Sequence, residues 1–119
     1  MLKYYLNTNG ESIAEITQGS EVISKPDEML EIMTEAGYNG CIGLIVHDKS
    51  LHKDFFDLKT GVAGEILQKF SNYRMKLAVI GDFSMFKSKS LKDFIRESNN
   101  RGTICFVDSL EKALNCMNL

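Results

Sequence analysis

Hydrophobic and polar residues alternate in two short segments near the start of the chain. The segments are LKYYL (residues 2–6) and ESIAEIT (residues 11–17), and Asn9-Gly10 lies between them. Alternation with a period of two is typical of a half-buried strand. Asn-Gly is a strong hairpin signal, because a type I′ turn needs positive φ at both central positions. The pattern therefore predicts an antiparallel hairpin closed by a type I′ turn.

Four later segments carry apolar residues at helical spacing and predict four helices. The first is expected to begin near Pro26, which suits an early helical position, and to end at Gly37 in a left-handed conformation. Tyr38 is expected to pack back on this helix, and Tyr73 is expected to be buried by the second. The predicted helices cover residues 24–37, 61–73, 88–97 and 108–117.

Two of these helices have a recognisable start. Ser90 is a candidate N-cap for the third helix, because its hydroxyl can accept a hydrogen bond from a free backbone N–H. Residues 108–111, Asp-Ser-Leu-Glu, have the form of a capping box with Asp108 at the N-cap and Glu111 three residues later. Both signals place the helix start within a residue or two.

Three short segments between the helices are mainly apolar, at residues 41–46, 76–80 and 103–107, and the first of them is apolar throughout. Such runs fit strands that are covered on both faces, as in a parallel sheet between helices. The order of elements is β-β-α-β-α-β-α-β-α within one domain, residues 1–119. Right-handed crossovers are expected to place helices on both faces of the sheet. The predicted fold class is α/β, with a mixed, mostly parallel sheet flanked by helices.

Composition and charge exclude several kinds of partner. The 119 residues include 14 basic and 16 acidic side chains, and no basic stripe points to nucleic acid. The longest apolar run, residues 41–46, is far shorter than the ~20 residues that a membrane span needs. No apolar signal region opens the chain, so we expect a cytoplasmic protein that contacts neither membrane nor nucleic acid.

The three cysteines, Cys41, Cys105 and Cys116, are odd in number and match no metal or redox spacing. Each lies among apolar residues, so they are interpreted as small buried apolar side chains. His47 and His52 are five residues apart, which is not a zinc-binding spacing. The sequence therefore predicts no resident metal and no cofactor.

Ligands of parallel sheets collect at the carboxyl ends of the strands. In this chain that rule selects residues 47–48, 57–61, 82–84 and 108–109 as one edge. Thr60 is a candidate phosphate position at a helix start, or a simple cap. Gly61 and Gly64 allow either a ligand or a neighbouring strand to approach the first turn. Glu65 is either a general base or a solvated carboxylate. The candidate binding or regulatory residues are Asp57, Thr60, Gly61, Gly64, Glu65, Asp82, Phe83 and Ser84.

Apolar residues flank the same edge. Phe55 and Phe56 precede it, and Met85 and Phe86 follow Phe83. Together they form a candidate apolar pocket or partner interface, with plain core as the alternative. Acids at this edge are candidates for a Mg²⁺ site, with turn and cap acids as the alternative. No nucleophile–base–acid order or paired-carboxylate spacing is present, so we expect no enzyme.

The order of elements, with a hydroxyl residue opening the helix after the first buried strand, resembles the STAS domain of bacterial anti-sigma factor antagonists. That family carries an Asp-Ser-Ser-Gly motif at this place, and a partner kinase phosphorylates one of its serines. Here the segment is Asp-Leu-Lys-Thr-Gly-Val, residues 57–62. The resemblance implies that Thr60 matches the serine before glycine and that phosphorylation regulates a protein–protein contact.

A second resemblance covers almost the whole chain. FFDLKTGVAGEILQKFSNYRMKLAVIGDFS, followed by SKSLKDFIRESN and SLEKAL, is similar to a bacterial family known as domain of unknown function 4180. That family has no established activity. KLAVIGD and the closing helix also resemble the broader sporulation-antagonist-like superfamily, which includes proteins suspected of binding lipids or other small apolar ligands.

These patterns support three hypotheses of different classes. The leading one is an STAS-like regulatory module that binds a protein partner, or another copy of itself, through residues 57–65 with the loop at residues 82–86. The second is a receptor for a small apolar ligand with a pocket floored by phenylalanines. The third is a metal-dependent enzyme that uses Asp57, Glu65 and Asp82.

Overall fold

A computed structural model of the chain describes residues 2–17, 22–102 and 104–117. Within these ranges one five-stranded sheet has its strands in chain order, β1-β2-β3-β4-β5. β1 pairs antiparallel with β2, and the later neighbours are parallel. The α/β class, the mixed sheet and the order of elements are confirmed. The strands are β1 (Leu2–Leu6), β2 (Ser12–Ile16), β3 (Cys41–His47), β4 (Lys76–Ile80) and β5 (Ile104–Val107).

Four helices flank this sheet, and they divide unequally between its faces. They are α1 (Pro26–Tyr38), α2 (Val62–Asn72), α3 (Lys89–Arg101) and α4 (Leu110–Cys116). Because β2 to β5 follow one another in a single direction, right-handed crossovers place α1, α2 and α3 on the same face. Only α4, which follows the last strand, packs on the opposite face. Helices on both faces were predicted, but the crossovers do not alternate between them.

Two apolar cores follow from this division. The larger lies between the sheet and α1–α3 and includes Met33, Ile66 and Phe70. The smaller lies between the sheet and α4 and includes Ala113 and Met117. The second core is thin at β3, because a Cβ built on Gly43 would lie 2.8 Å from the sulfur of Met117. Glycine at this position lets the end of α4 pack directly on the sheet.

The predicted hairpin is present, but its turn is not type I′. Gly10 has φ of 79°, whereas Asn9 does not have positive φ. The side chain of Asn7 is buried, and its Oδ1 accepts hydrogen bonds from the backbone N–H groups of Asn9, at 3.0 Å, and Glu11, at 2.9 Å. The side-chain amide of Asn7 stabilises a longer turn with one left-handed residue. The requirement of a type I′ turn for positive φ at both central positions therefore does not apply.

The first helix passes through its expected end. α1 includes Gly37 and Tyr38, Asn39 follows as the C-cap, and Gly40 is the residue with positive φ, 82°. Tyr38 is 91% exposed and does not pack back on the helix. At the start of α1, the Glu28 carboxylate accepts hydrogen bonds from the backbone N–H groups of Ser24 and Lys25. These hydrogen bonds lower the pKa of Glu28.

The remaining helix ends also differ by a few residues. Tyr73 is 62% exposed because α2 ends just before it, so its predicted burial is wrong. Ser88, not Ser90, caps α3 by accepting a hydrogen bond from the N–H of Leu91 at 3.2 Å. α3 continues to Arg101, beyond its predicted end at residue 97, and Gly102 follows it in the left-handed conformation. The N-cap of α4 is Ser109, not Asp108, and it accepts from Lys112 at 3.2 Å.

A disulfide joins Cys105 of β5 to Cys116 of α4, with 6.6 Å between their Cα atoms. The interpretation of these two cysteines as unpaired apolar side chains is therefore wrong. The chain turns back between β5 and α4, which brings the two residues together although their sequence spacing matches no known motif. Cys41 is free and buried, and burial raises the pKa of its thiol. Among the described helices, none has the length and apolar character needed to cross a membrane.

Candidate functional site

Three parallel strands end at the edge of the sheet that the sequence selected. The segment of residues 48–60 follows β3 in three 3₁₀ turns, Asp48–Ser50, Lys53–Phe56 and Leu58–Thr60. Asp48 lies across the end of β4, because a Cβ on Gly81 would come within 2.5 Å of its carboxylate carbon. The side chain of Asp48 thus packs against the backbone of Gly81, and a side chain at residue 81 would displace it.

Thr60 joins the last 3₁₀ turn to the start of α2. Its hydroxyl oxygen lies 2.7 Å from the carbonyl oxygen of Asp54 and 2.9 Å from that of Asp57, and its one proton can be donated to either. The same oxygen accepts a hydrogen bond from the N–H of Val62 at 3.3 Å. The Asp57 carboxylate accepts from the N–H of Lys59 at 3.3 Å. Thr60 is therefore a local anchor, and the N-cap itself is Gly61.

The two glycines of this segment have different environments. Gly61 has φ of 78°, a conformation that side chains disfavour, so glycine is required there. Gly64 has helical backbone, and a Cβ added to it meets nothing within 4 Å. Close packing of Gly64 against the sheet, one of the two expected explanations, is therefore wrong. Glu65 beside it is exposed. None of the described residues explains a glycine at residue 64.

Asp82 and Ser84 form a small turn after β4. The Oδ1 atom of Asp82 accepts hydrogen bonds from the Ser84 hydroxyl, at 2.6 Å, and from the Ser84 N–H, at 3.0 Å. These two hydrogen bonds hold the pKa of the Asp82 carboxyl below its ordinary value. Both side chains belong to exposed residues. One oxygen of Asp82 is therefore engaged in stabilising the turn rather than in a shared site.

The predicted aromatic residues do come together. Phe56 stacks on Phe86 with 5.0 Å between ring centroids, and it contacts Phe55 edge-on at 5.1 Å. Phe83 lies 6.2 Å from Phe56 and meets Phe106 of β5 edge-on at 5.4 Å. Phe55 is buried and the other loop rings are partly exposed, whereas Met85 is 66% exposed. Phe55 belongs to the larger core, and Phe56 and Phe83 pack against it. The rings connect the segment before α2 to the loop after β4.

The acidic candidates do not form a metal site. Among residues 2–17, 22–102 and 104–117, no group of three or more His, Cys, Asp or Glu side chains is placed to hold a metal ion. Asp57, Glu65 and Asp82 are all exposed. Asp57 and Asp82 cap their own turns, which is the alternative that the sequence analysis left open. The geometry therefore offers no shared ligand set at this edge.

Sequence reasoning missed a polar network near the carboxyl ends of β2 and β3, which includes His47 of the selected edge. Glu15 of β2 is buried, and its carboxylate lies 2.6 Å from Nε2 of His47. The hydroxyl of Tyr5 donates to the other carboxylate oxygen at 2.8 Å, which raises the pKa of Tyr5. The signal was present in the sequence: Glu15 shares a strand face with buried Ile13, and a buried carboxylate requires partners. Its partners depend on strand register and could not be identified.

Comparison with known proteins yields one relationship. No curated protein and no solved structure matched the chain. The family model described as "Domain of unknown function (DUF4180)" matches residues 8–117, which includes every strand from β2 onwards and every helix. That description names no catalytic activity. The chain belongs to the DUF4180 family.

Proposed function

We propose that this protein is an STAS-like regulatory module that captures a protein partner through the start of α2, residues 57–65. The observation that carries the proposal is the open position at Gly64. Gly64 is the third residue of α2, and replacing glycine by alanine at a compatible site stabilises a protein by about 0.4–1 kcal/mol. Gly61 has a conformational reason to be glycine, whereas none of the described residues gives such a reason at Gly64. A partner surface that lies directly on the backbone at Gly64 supplies such a reason.

The surface around Gly64 suits a protein better than a small molecule. It is an open, shallow groove of about 530 Å³, with no apolar side chain in its lining. Small-molecule sites are mostly concave and apolar, whereas the rim of a protein–protein interface is polar and accessible to solvent. Lys69 is held toward α1 by Asp27, whose carboxylate is 3.8 Å away. The lining residues are Gly61, Gly64, Glu65, Gln68, Lys69 and Asn72.

Thr60 is the proposed point of regulation. A phosphate on its hydroxyl removes the proton that the carbonyl groups of Asp54 and Asp57 share. It also adds a charge of about −1.5 to −2 beside the Asp57 carboxylate. Both effects reorganise the turn that precedes α2. The phosphate is also near the free N–H groups of the helix start, which favour an anion.

The proposal is tested by capture from native extract followed by reconstitution with the purified partner. Gly64→Trp places a large ring over the groove, and Glu97→Trp places the same ring at an exposed residue of α3 as the matched control. We expect the wild-type protein and the Glu97→Trp variant to bind the same partner with equal Kd. Gly64→Trp is expected to weaken binding at least tenfold, and Thr60→Glu to weaken it as well.

Circular dichroism and thermal unfolding establish that each variant is folded before binding is compared. If Gly64→Trp binds the captured partner as tightly as the wild type in calorimetry, the surface at Gly64 is not the contact and the proposal is wrong. A partner that binds all variants equally must use another face of the molecule.

A second candidate function is binding of a small apolar ligand at the aromatic cluster. The supporting observation is that phenyl rings from two separate loops, those of Phe56, Phe83 and Phe86, meet at the carboxyl edge. Native mass spectrometry of the purified protein tests it, because a bound ligand adds a defined mass. Loss of that mass in Phe86→Ala, with the fold retained, is the expected result; a protein purified with no added mass counts against this candidate.

A further inference from the structure

A groove on the opposite edge of the sheet from the candidate site has an apolar floor and a basic rim. Its volume is about 540 Å³, within the range of pockets that bind small molecules. Phe70 and Ile104 are buried beneath it, and Leu67 and Met75 are partly exposed. The rim carries two arginines, Arg74 after α2 and Arg101 at the end of α3. The full lining is Leu67, Phe70, Ser71, Arg74, Met75, Lys76, Arg101, Gly102 and Ile104.

The charge of this groove contrasts with that of the whole chain. The lining contains no Asp or Glu, although the protein has a formal net charge of −2. Neither Arg74 nor Arg101 forms an ion pair with any residue that the structure describes. Two guanidinium groups beside buried apolar side chains complement a ligand that carries an acid group on an apolar body.

The backbone at Arg74 strengthens this interpretation. Its φ of 54° makes it the one non-glycine residue with positive φ in the described part of the chain. The N–H of Met75 donates to the carbonyl of Phe70 at 2.9 Å, so Arg74 stands at the left-handed position that ends a helix. Glycine is the usual residue there, because a Cβ in this conformation costs free energy. The chain keeps an arginine where folding alone favours glycine.

Positive side chains near a helix C-terminus also complement the helix dipole. That effect accounts for Arg101 in the last turn of α3. The helix dipole does not explain why residue 74 is arginine, because its left-handed backbone favours glycine over any residue with a side chain. A function of the Arg74 guanidinium group other than stabilising the fold explains why arginine is present at a position that favours glycine.

We propose that this groove binds a small organic acid with an apolar body, whose carboxylate is held by Arg74 and Arg101 and whose body lies on Phe70, Leu67 and Met75. This site is separate from the start of α2 and does not depend on the function proposed for that surface. Decanoate, used below its micellar concentration, is the probe, and decanol and decyltrimethylammonium carry the same chain with a neutral and a positive head.

Isothermal titration calorimetry gives the affinities, and amide NMR gives the location. We expect decanoate to bind with shift changes at residues 74–76 and 102, and decanol to bind at least tenfold more weakly. No binding of the decyltrimethylammonium ion is expected. Equal affinity for decanoate and decanol, shift changes confined to the aromatic cluster, or no binding of decanoate would each overturn the proposal.

Arg74→Gly separates binding from folding. It removes the guanidinium and places the preferred residue at the left-handed position, so the variant is expected to unfold at the same temperature as the wild type or higher. Its affinity for decanoate is expected to fall about tenfold or more, the loss typical of one charge-assisted hydrogen bond. Arg101→Gln is expected to weaken binding similarly.

The matched control is Arg96→Gln, because Arg96 is an exposed arginine of α3 that pairs with Asp93 at 3.1 Å and does not line the groove. It is expected to bind decanoate as the wild type does. If Arg74→Gly and Arg101→Gln retain full affinity while folded, the arginines do not hold the acid group and the proposal is wrong.

Discussion

Replacing Gly64 by alanine is expected to stabilise the free protein. In α2 the backbone at residue 64 is helical, and an added Cβ has no atom within 4 Å. The substitution therefore introduces no clash, and it restricts the unfolded chain. A compatible Gly→Ala change is worth about 0.4–1 kcal/mol, which corresponds to an increase of about 2–5 °C in Tm for a chain of this size.

Gly61→Ala is the matched control, because the two glycines are three residues apart and an added Cβ has no atom within 4 Å at either position. The φ of 78° at Gly61 reverses the expected sign. A left-handed residue with a Cβ costs about 1–2 kcal/mol, so this variant is expected to unfold about 5–10 °C below the wild type. The two single-methyl changes should thus differ in Tm by more than 5 °C, an order-of-magnitude expectation from the same principles.

Tm is measured by thermal unfolding followed by circular dichroism, and urea unfolding gives the midpoint and the slope m of the same three proteins. An unchanged m with a shifted midpoint reports stability alone. If Gly64→Ala lowers the midpoint, something within the folded chain occupies the space above residue 64. The argument that Gly64 is kept for a partner would then fail, whatever Gly61→Ala does.

Three further predictions concern other parts of the chain. In NMR titration the carboxyl of Asp82 should have a pKa below its ordinary value of 3.8, and Ser84→Ala should raise that pKa. Because the pKa is lowered in the folded state, the associated stability is complete above the unfolded pKa and is lost as the pH falls through the folded pKa. Glu15→Ala should destabilise the protein by about 2–4 kcal/mol in urea, since it removes the buried carboxylate on which Tyr5 and His47 converge; a loss below 0.5 kcal/mol would contradict this. Cys116→Ser should lower the free energy of unfolding by about 2–3 kcal/mol, the value for a loop of this length, and reduction of the wild type by a dithiol should reproduce that loss.

The fold was largely predictable because its strongest signals are local. Apolar runs at residues 41–46 and 76–80 specified buried parallel strands, and both lie in the centre of the sheet. Helical spacing located every helix within a few residues. The ends were less predictable, because several residues compete for each cap. The N-caps are Ser88 and Ser109 instead of Ser90 and Asp108, because their hydroxyl groups accept the capping hydrogen bonds.

The candidate site was predictable in position but not in chemistry. The carboxyl-edge rule brought Phe56, Phe83 and Phe86 together correctly, because sheet topology alone determines which loops meet. It did not indicate that Thr60 and Asp82 are engaged with their own turns. Contacts between distant residues, such as Glu15 with His47, depend on the exact register of neighbouring strands. Period-two patterns do not encode that register across separate segments.

The groove at Arg74 illustrates a different limit. The sequence shows an arginine after a helix, which is common and carries no signal by itself. Only the backbone conformation reveals that this residue occupies a place that glycine would fill more easily. Gly64 is the reverse case, a glycine where alanine would be more stable. Both became visible only when the identity of the residue was compared with its observed conformation and surroundings.

The agreement between strand order and chain order has a consequence for assembly during synthesis. Each new strand, from β2 to β5, pairs with the strand that left the ribosome just before it. The sheet can therefore grow from one edge as the chain emerges, without a gap that a later segment must fill. We expect the hairpin and β3 to associate before β5 is made. α4 follows β5 in the chain, so its disulfide to Cys105 can form only after the last of the five described strands has been made.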